Sequence, residues 1–275
     1  MKLKLFSIFS LYTLGSFSVF ATPISCTEKQ KQINVANNIV TMLDFHNGPV
    51  KSIITTSTLS KDGRFKAYQN ETRLDECGSL TKHDFSAQEY IHEHIETNLM
   101  RMPEPYNLKY KYQLKNRNRT HTLYLNEIYN KNEQNQLTNK IAYFYDASGL
   151  LLGSESSQFF YKNGYIITEK VTKSDAGNKG NTVNYQYDTK NRLLKVVENN
   201  ETTLEFTYDK DGKVLHQFQL FSSLYDDIRE FNMTCNEWDK YNNCLTWDLV
   251  TTVKSNDQII NTTKAVIHDA FEYYE

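Results

Sequence analysis

The stretch YQYDTKNRLLKVV, residues 185–197, has two relatives elsewhere in the chain. YFYDASGLLL begins at Tyr143, and FTYDKDGKVL begins at Phe206. In each copy an aromatic pair precedes an Asp, and a Gly or Asn follows three positions later. Such an Asp accepts backbone hydrogen bonds in a tight turn, while Gly or Asn tolerates the left-handed conformation that ends it. The pattern predicts three hairpin turns, defined by Asp146 with Gly149, Asp188 with Asn191, and Asp209 with Gly212.

The spacing of the turns predicts a regular meander of strands. Asp188 and Asp209 are 209 − 188 = 21 positions apart, and Asp146 and Asp188 are 188 − 146 = 42 apart, so we expect one hairpin every 21 residues. The intervening runs are rich in β-branched and aromatic residues, as strands are. The expected fold is mainly β: an antiparallel β-meander forming a curved sheet or partial barrel, with one or two short helices near the N-terminal half.

The repeated stretch resembles the tyrosine-aspartate (YD, Rhs-type) repeats of large bacterial toxin-associated shells, whose units carry a Y-x-Y-D-x-x-G-R-L core. The similarity covers about residues 140–215. Those shells contain many more copies. The resemblance therefore implies YD-like hairpins here and does not carry an encapsulating function with it.

Composition favours a folded chain without an extended charged surface. The 275 residues are 39% hydrophobic and 13% aromatic, enough to bury a core. The 31 Lys and Arg residues nearly balance the 33 Asp and Glu residues. With no long run of either charge, a nucleic-acid partner is not expected.

The N-terminus, MKLKLFSIFSLYTLGSFSVFATPISC, is typical of a secretory signal peptide. Two lysines precede an apolar stretch that ends in Val19-Phe20-Ala21. A membrane anchor needs roughly 20 mostly apolar residues, whereas this stretch is shorter and is broken by serines. We expect residues 1–21 to be the signal peptide and residues 22–275 to be a single exported β-rich domain in the periplasm or cell envelope.

The cysteine count predicts disulfides, because an even number in an exported protein favours bridges over free thiols. Four cysteines allow three pairings, and none has the C-x-x-C spacing of a redox or zinc site. The expected bridges join Cys235 to Cys244, which are close in sequence, and Cys26 to Cys77. The repeated turn would run from Asp239 to Asn242 and set the first pair out of register, so we expect a departure from that turn there.

Two helices are predicted from apolar spacing. One runs from Glu28 to Leu43, where Ile33, Ala36 and Val40 share a face. The other runs from about Ser86 to Met100, where Ser86 and Glu89 form a capping box and apolar residues follow at intervals of about four.

No cluster of residues predicts an active site. His92, His94 and Glu96 approach the helical zinc motif H-E-x-x-H, but its fifth position holds Glu96. A solvated polar face is the expected role. The sequence contains no G-x-S-x-G nucleophile motif and no phosphate-binding P-loop. We therefore expect no catalytic residues, cofactor or metal.

Two further stretches resemble the YnfC family of uncharacterised Gram-negative envelope lipoproteins. One contains Leu43-Asp-Phe45, Gly48-Pro-Val-Lys51, the Asp62-Gly63 turn and Cys77; the other runs from Cys235 to a C-terminus ending Phe271-Glu-Tyr273-Tyr274. The resemblance implies an envelope protein of unknown function and gives no catalytic residues. In such lipoproteins the lipid-bearing Cys typically ends the pattern L-x-G-C or L-x-A-C, whereas Cys26 follows Pro23-Ile24-Ser25, with Pro23 at the position of the Leu. Lipid anchoring at Cys26 is thus disfavoured, and membrane association is expected only if Cys26 is lipidated.

The sequence favours a non-enzymatic binding or structural β-sheet module of the cell envelope, acting on an unknown envelope partner or ligand. One alternative is a carrier that holds an apolar or glycan ligand in a curved, aromatic-lined sheet. A remote alternative is a metal-dependent envelope hydrolase using the His92 to Glu96 cluster.

The fate of Cys26 gives a first prediction. If the signal peptide is removed after Ala21, the chain starts at Thr22 and Cys26 is free to pair with Cys77, a bridge worth about 2–4 kcal/mol. The intact mass of protein recovered from the envelope should match a Thr22 start with both disulfides formed. A diacylglycerol mass on a chain starting at Cys26 would contradict this, because a lipidated thiol cannot form the bridge.

Overall fold

The computed structural model describes residues 26–42, 46–57, 65–89, 93–101, 106–116, 119–222, 228–255 and 258–275. Within these ranges the chain forms one helix followed by sixteen strands. The elements are α1 (Glu28–Met42), β1 (Val50–Ser57), β2 (Phe65–Leu74), β3 (Leu80–Glu89), β4 (Glu93–Arg101), β5 (Tyr106–Asn116), β6 (Arg119–Lys131), β7 (Leu137–Asp146), β8 (Leu151–Lys162), β9 (Tyr165–Ser174), β10 (Thr182–Tyr187), β11 (Leu193–Glu198), β12 (Glu201–Tyr208), β13 (Val214–Ser222), β14 (Ile228–Trp238), β15 (Cys244–Ser255) and β16 (Gln258–Tyr273).

The strands form one antiparallel meander, as the sequence predicted. Each strand pairs with its neighbours in the chain, and β1 also pairs with β16, so the sheet closes on itself. Consecutive connections therefore alternate between two ends of the sheet. The helix end is the end at which α1 lies, and its described connections are residues 75–79, 132–136, 163–164, 188–192, 209–213 and 239–243. The far end is the opposite one, and its described connections are residues 147–150, 175–181 and 199–200.

The three predicted turns are present and share one hydrogen-bond pattern. The Asp188 carboxylate accepts from the backbone N–H groups of Lys190 and Arg192, at 2.8 and 2.9 Å. Asn191 then adopts φ 63°, in the left-handed region. The Asp146 and Asp209 turns have the same two side-chain contacts and end in Gly149 and Gly212, at φ 84° and 97°.

The same turn recurs at Asp75, Asn132 and Asp239, each of which accepts from the N–H groups two and four positions later. The expected departure at Asp239 is wrong, because the turn and the disulfide coexist. One extra residue in each strand, Asn236 in β14 and Leu245 in β15, shortens the ladder between Cys235 and Cys244, whose Cα atoms lie 5.9 Å apart. A strand can thus absorb through bulges the mismatch that the turn imposes.

The expected regular spacing of 21 residues is wrong between Asp146 and Asp188. The three strands β8, β9 and β10 lie between these turns. An odd number of strands places the Asp146 turn at the far end, whereas the Asp188 and Asp209 turns lie at the helix end. Strand length varies too much for turn spacing alone to assign an end.

Aromatic residues before the turns connect neighbouring hairpins at the helix end. The Tyr187 hydroxyl donates to the carbonyl of Ile166 at 2.8 Å, and the Tyr208 hydroxyl donates to that of Leu193 at 2.9 Å. Trp238 makes the equivalent bond to Val214, also at 2.9 Å. The Arg192 guanidinium lies 4.2 Å from the centre of the Tyr208 ring. The aromatic-Asp pair therefore joins each turn to the hairpin before it.

Of the two predicted helices, the first is confirmed as α1 and the second is wrong. Residues from Ser86 to Met100 belong largely to β3 and β4, which pair with each other and with β2 and β5. A spacing of four is even, so it places apolar residues on one face of a strand as well as on one face of a helix. Pairing with long neighbouring strands decided the outcome.

Both expected disulfides are present, and they indicate an oxidising, exported environment. Cys26, just before α1, bridges to Cys77 in the β2–β3 turn with the Cα atoms 5.5 Å apart. The N-terminal end of the helix is therefore tied covalently to the sheet.

Removing a turn-linking hydroxyl should destabilise the fold. Tyr208→Phe leaves the ring in place but removes the donor to the Leu193 carbonyl, at an expected loss of about 1 kcal/mol in the free energy of unfolding. Thermal unfolding should show a melting temperature lower by about 2–4 °C. The matched control is Tyr145→Phe, the equivalent position directly before Asp146 in the copy of the motif that lies at the far end. An equal loss in both variants would contradict a special role for the helix-end hydroxyl.

Candidate functional site

A cleft at the helix end lies between α1 and the sheet. Its volume is about 410 Å³, within the usual range for ligand pockets. The helix forms one wall, the segment leading into β1 forms a second, and the β2–β3 turn forms a third. The lining residues are Lys31, Val35, Asn38, His46, Gly48, Pro49, Val50, Leu74, Asp75, Glu76, Cys77 and Gly78.

Buried asparagines on α1 hold the helix against the turns. The side-chain amides of Asn34 and Asn38 donate to the carbonyls of Cys77 and Gly78, both at 2.8 Å. Asn37 donates in the same way to the carbonyl of Asn135 in the β6–β7 turn, at 2.8 Å. Amides so placed satisfy turn carbonyls that would otherwise lose their hydrogen bonds to water. The helix wall of the cleft is therefore fixed by direct bonds as well as by the disulfide.

The segment before β1 is fixed by the β14–β15 turn. The Asn47 N–H donates to the Asn243 side chain at 2.7 Å, and the Asn243 amide donates back to the Asn47 carbonyl at 2.9 Å. The ring of His46, on the cleft, contacts Phe271 edge-on with centroids 5.5 Å apart. The second wall is therefore preformed too.

The cleft combines an apolar floor with a charged rim. Val50 and Leu74 are 3% and 8% exposed, whereas Lys31 and Glu76 lie at the surface. Burial raises the pKa of nearby Tyr274, and the negative charges of Asp75 and Glu76 raise it further. The rim beside the β2–β3 turn is therefore electronegative, and Lys31 supplies a positive charge on the opposite wall.

A second polar cluster lies within the closed sheet, on the face that carries the buried side chains (the inner face). Lys140 donates to Glu169 at 2.7 Å and lies 3.6 Å from Glu127. The side chains of Lys140, Glu169 and Glu127 are 16%, 7% and 12% exposed, respectively. Tyr129 donates its hydroxyl to Glu127 at 2.9 Å. The cluster is a buried ion network with more acidic than basic groups.

The carboxylates of this cluster raise the pKa of Lys140 and of Glu198. Burial acts to lower the pKa of Lys140, but attraction to Glu127 and Glu169 outweighs it and holds the pKa above its ordinary value. Burial raises the pKa of Glu198, and the Glu169 carboxylate raises it further. Lys140 thus stays charged, while Glu198, although exposed at the end of β11, ionises less readily than an isolated carboxylate in water.

The residues predicted from the motifs do not converge on one site. Of the four cysteines, Cys77 lines the cleft. Asp188, Asn191, Asp209 and Gly212 define helix-end turns, and Asp146 with Gly149 defines a far-end turn.

The remaining predicted sites fall beyond what the structure describes. The signal peptide and His92 lie outside the described residues, as do the side chains of His94 and Glu96. Among the described residues, no group of three or more His, Cys, Asp or Glu side chains could hold a metal ion. In the same part of the chain, no helix is both long enough and apolar enough to cross a membrane.

Sequence reasoning missed the asparagines of α1 and the Lys140 cluster. The repeated Asn at positions 34, 37 and 38 of a predicted amphipathic helix was an available signal, because these positions fall on its apolar side. The sequence carried no signal that Lys140 is buried, since a charged residue in a strand of alternating polarity is normally expected to face solvent.

Comparison with known proteins finds solved structures of low similarity. No protein-family model and no curated protein matches the chain. A porin-like protein from Bacteroides uniformis ATCC 8492 is similar at 9% identity and a TM-score of 0.42, over 83% of this chain and 100% of that one. A chain of the TcdB2-TccC3-Cdc42 structure is similar at 10% identity and a TM-score of 0.28, over 77% of this chain and 14% of that one.

The raised pKa of Glu198 predicts a pH-dependent gain in stability for Glu198→Gln. Between the ordinary Glu pKa and the raised value, the folded state holds a proton that the unfolded chain has lost, so wild-type stability falls as pH rises. At neutral pH the variant should therefore melt at a higher temperature than the wild type, and the difference should shrink as acid protonates Glu198.

Glu205→Gln is the matched control, because Glu205 pairs with Lys195 at 3.1 Å in an exposed position. This variant should show no such gain. A Glu198→Gln protein that is less stable than the wild type at neutral pH would contradict the prediction.

Proposed function

We propose that the protein is a non-enzymatic binding module of the cell envelope, which holds a small amphipathic ligand in the cleft between α1 and the sheet. The observation that carries the proposal is the preformed cleft of about 410 Å³, with an apolar floor and charges on its rim. Ligand sites are typically concave, mostly apolar and provided with a few oriented polar groups.

The covalent and hydrogen-bonded framework around the cleft supports binding. The bridge from Cys26 to Cys77 and the amide of Asn38 fix two walls relative to each other. A site that is already ordered loses little conformational entropy when its ligand binds. The framework therefore favours a recognition role for this end of the molecule.

The chemistry of the lining defines the class of ligand. Val35, Val50 and Leu74 offer an apolar surface, which favours a compact hydrocarbon or aromatic body. Lys31 on one wall, whose ammonium also pairs with Glu28 at 2.9 Å, complements an anionic group. Asp75 and Glu76 on the other wall complement a hydrogen-bond donor or a cationic group.

The inner face of the sheet is less suited to the aromatic-lined carrier function. Tyr129 and Phe159 stack with centroids 6.2 Å apart and are 2% and 7% exposed. Tyr185 is 5% exposed and belongs to the same core. These rings fill the helix end of the sheet, so we place the ligand in the cleft outside that core.

Sequence features support the location and the non-enzymatic assignment. The N-terminal signal pattern and the resemblance to the YnfC family favour the envelope. The two disulfides suit the same oxidising compartment. The sequence also lacks the nucleophile and phosphate-binding motifs of common hydrolases and nucleotide enzymes.

The proposal is tested with residues 22–275 and the fluorescent probe 1-anilinonaphthalene-8-sulfonate, which joins an aromatic body to an anionic group. We expect saturable binding at one site. Val35→Asp, on the apolar wall, and Lys31→Glu, on the rim, should each weaken it about tenfold or more, the ratio that corresponds to one lost contact of about 1.4 kcal/mol.

Ile259→Asp is the control, since Ile259 is 65% exposed and lies in β16 near the far end. Melting temperatures identify any variant that fails to fold, and Lys31→Glu leaves the core untouched. Equal binding by Lys31→Glu, Ile259→Asp and the wild type would reject the cleft as the site.

A further inference from the structure

The strand register places several carboxylates together with Lys140 on the inner face. Lys140 lies directly opposite Ser157, and the adjacent inner position on β7, Ala142, lies opposite Glu155. Glu169 lies opposite Val183, which in turn lies opposite Glu198. Cross-strand partners share a face of the sheet. The cluster therefore spans the strands from β6 to β11.

Among the side chains that the structure describes, the cluster carries more negative than positive charge. Lys140 contacts Glu169 and Glu127, which leaves the carboxylates of Glu155 and Glu198 outside its salt bridges. Glu155 accepts a neutral hydrogen bond from Asn178 at 3.1 Å. Glu155 is half-buried, whereas Glu198 is exposed at the end of β11, so Glu155 carries most of the cost of burying an uncompensated carboxylate. A bound cation would remove that cost.

An unsatisfied hydroxyl points independently to a bound group. Ser157 is 1% exposed, and its Oγ has no hydrogen-bond partner among the described residues. Buried side-chain hydroxyls are normally paired. Because Ser157 lies opposite Lys140 on the inner face, its oxygen is placed to accept a hydrogen bond from a donor that binds within the cluster.

The arrangement suits an extended organic cation better than a metal ion. Glu155, Glu169 and Glu198 come from three different strands. No three such groups in the described part of the chain converge on one metal position. Two ammonium groups joined by a flexible hydrocarbon chain can reach separate carboxylates, and each N–H donor makes a charge-assisted hydrogen bond.

We propose that the inner face of the sheet binds an aliphatic diamine or polyamine, with one ammonium group at Glu155, another at Glu198 and a further N–H donating to the Ser157 hydroxyl. This site is separate from the cleft, which lies between α1 and the helix ends of β1 to β3. The binding function proposed for the cleft does not depend on it.

Isothermal titration of residues 22–275 with putrescine and with spermidine tests the site. We expect one saturable site, at which Glu198→Gln weakens binding at least about tenfold and Ser157→Ala weakens it by a smaller factor. Glu205→Gln removes the same charge from an exposed ion pair with Lys195 and should leave the affinity unchanged. The melting temperature of Glu198→Gln, measured under the same conditions, separates a loss of binding from a loss of fold.

Two results would overturn the proposal. One is the absence of heat from either amine at millimolar concentration, which would identify the cluster as a purely structural ion network. The other is equal weakening by Glu198→Gln and Glu205→Gln, or equal displacement by magnesium chloride at matched ionic strength, which would reduce the effect to general charge screening. Neither result bears on binding of the fluorescent probe in the cleft, so the two proposals fail separately.

Discussion

The hydrogen bonds from an Asx side chain to the two backbone N–H groups that follow it are the constraint on which this fold depends. Each such turn ends in a left-handed residue and a register shift. At Asp188, for example, Asn191 has a positive φ and the shift lies between Gln186 and Tyr187. The shift places Leu193 and Val196, three positions apart, both in the core, at 0% and 2% exposed. Local turn chemistry thus decides which side chains enter the interior.

Closure of the sheet leaves the helix end needing a cover, and α1 supplies it with amides as well as apolar groups. Turn carbonyls at that end cannot all be satisfied by neighbouring strands. Asn34, Asn37 and Asn38 donate to three of them, while Ile39 is fully buried against the core. The cleft arises where the helix, the disulfide and the β1 segment meet without filling the space between them. Its shape is therefore a consequence of how the end of the sheet is closed.

The inner face shows a different balance of forces. Most buried positions near α1 are apolar, whereas Lys140 and Glu169 form a buried ion pair on the inner face. A buried ion pair often contributes little net stability relative to an apolar pair, because both charges must be desolvated. The half-buried Glu155 carboxylate, which lies outside that pair, and the unsatisfied Ser157 hydroxyl make the cost larger. Such an arrangement suggests binding rather than packing as the reason for these residue types, in line with the usual conflict between function and stability.

The sequence by itself determined the class of fold, the turn chemistry, the first helix and the disulfide pairing, because each depends on short-range patterns of residue type. The helix expected from Ser86 to Met100 was wrong, because a spacing of four residues fits the period of a strand as well as that of a helix. Only the pairing of β3 and β4 with each other and with their neighbours decided for strands. The end of the sheet at which the Asp146 turn lies depends on how many strands intervene. Closure of β1 on β16, the cleft and the Lys140 cluster join residues far apart in the chain. They were decided by the tertiary structure alone, because strand register sets which distant side chains share an interior.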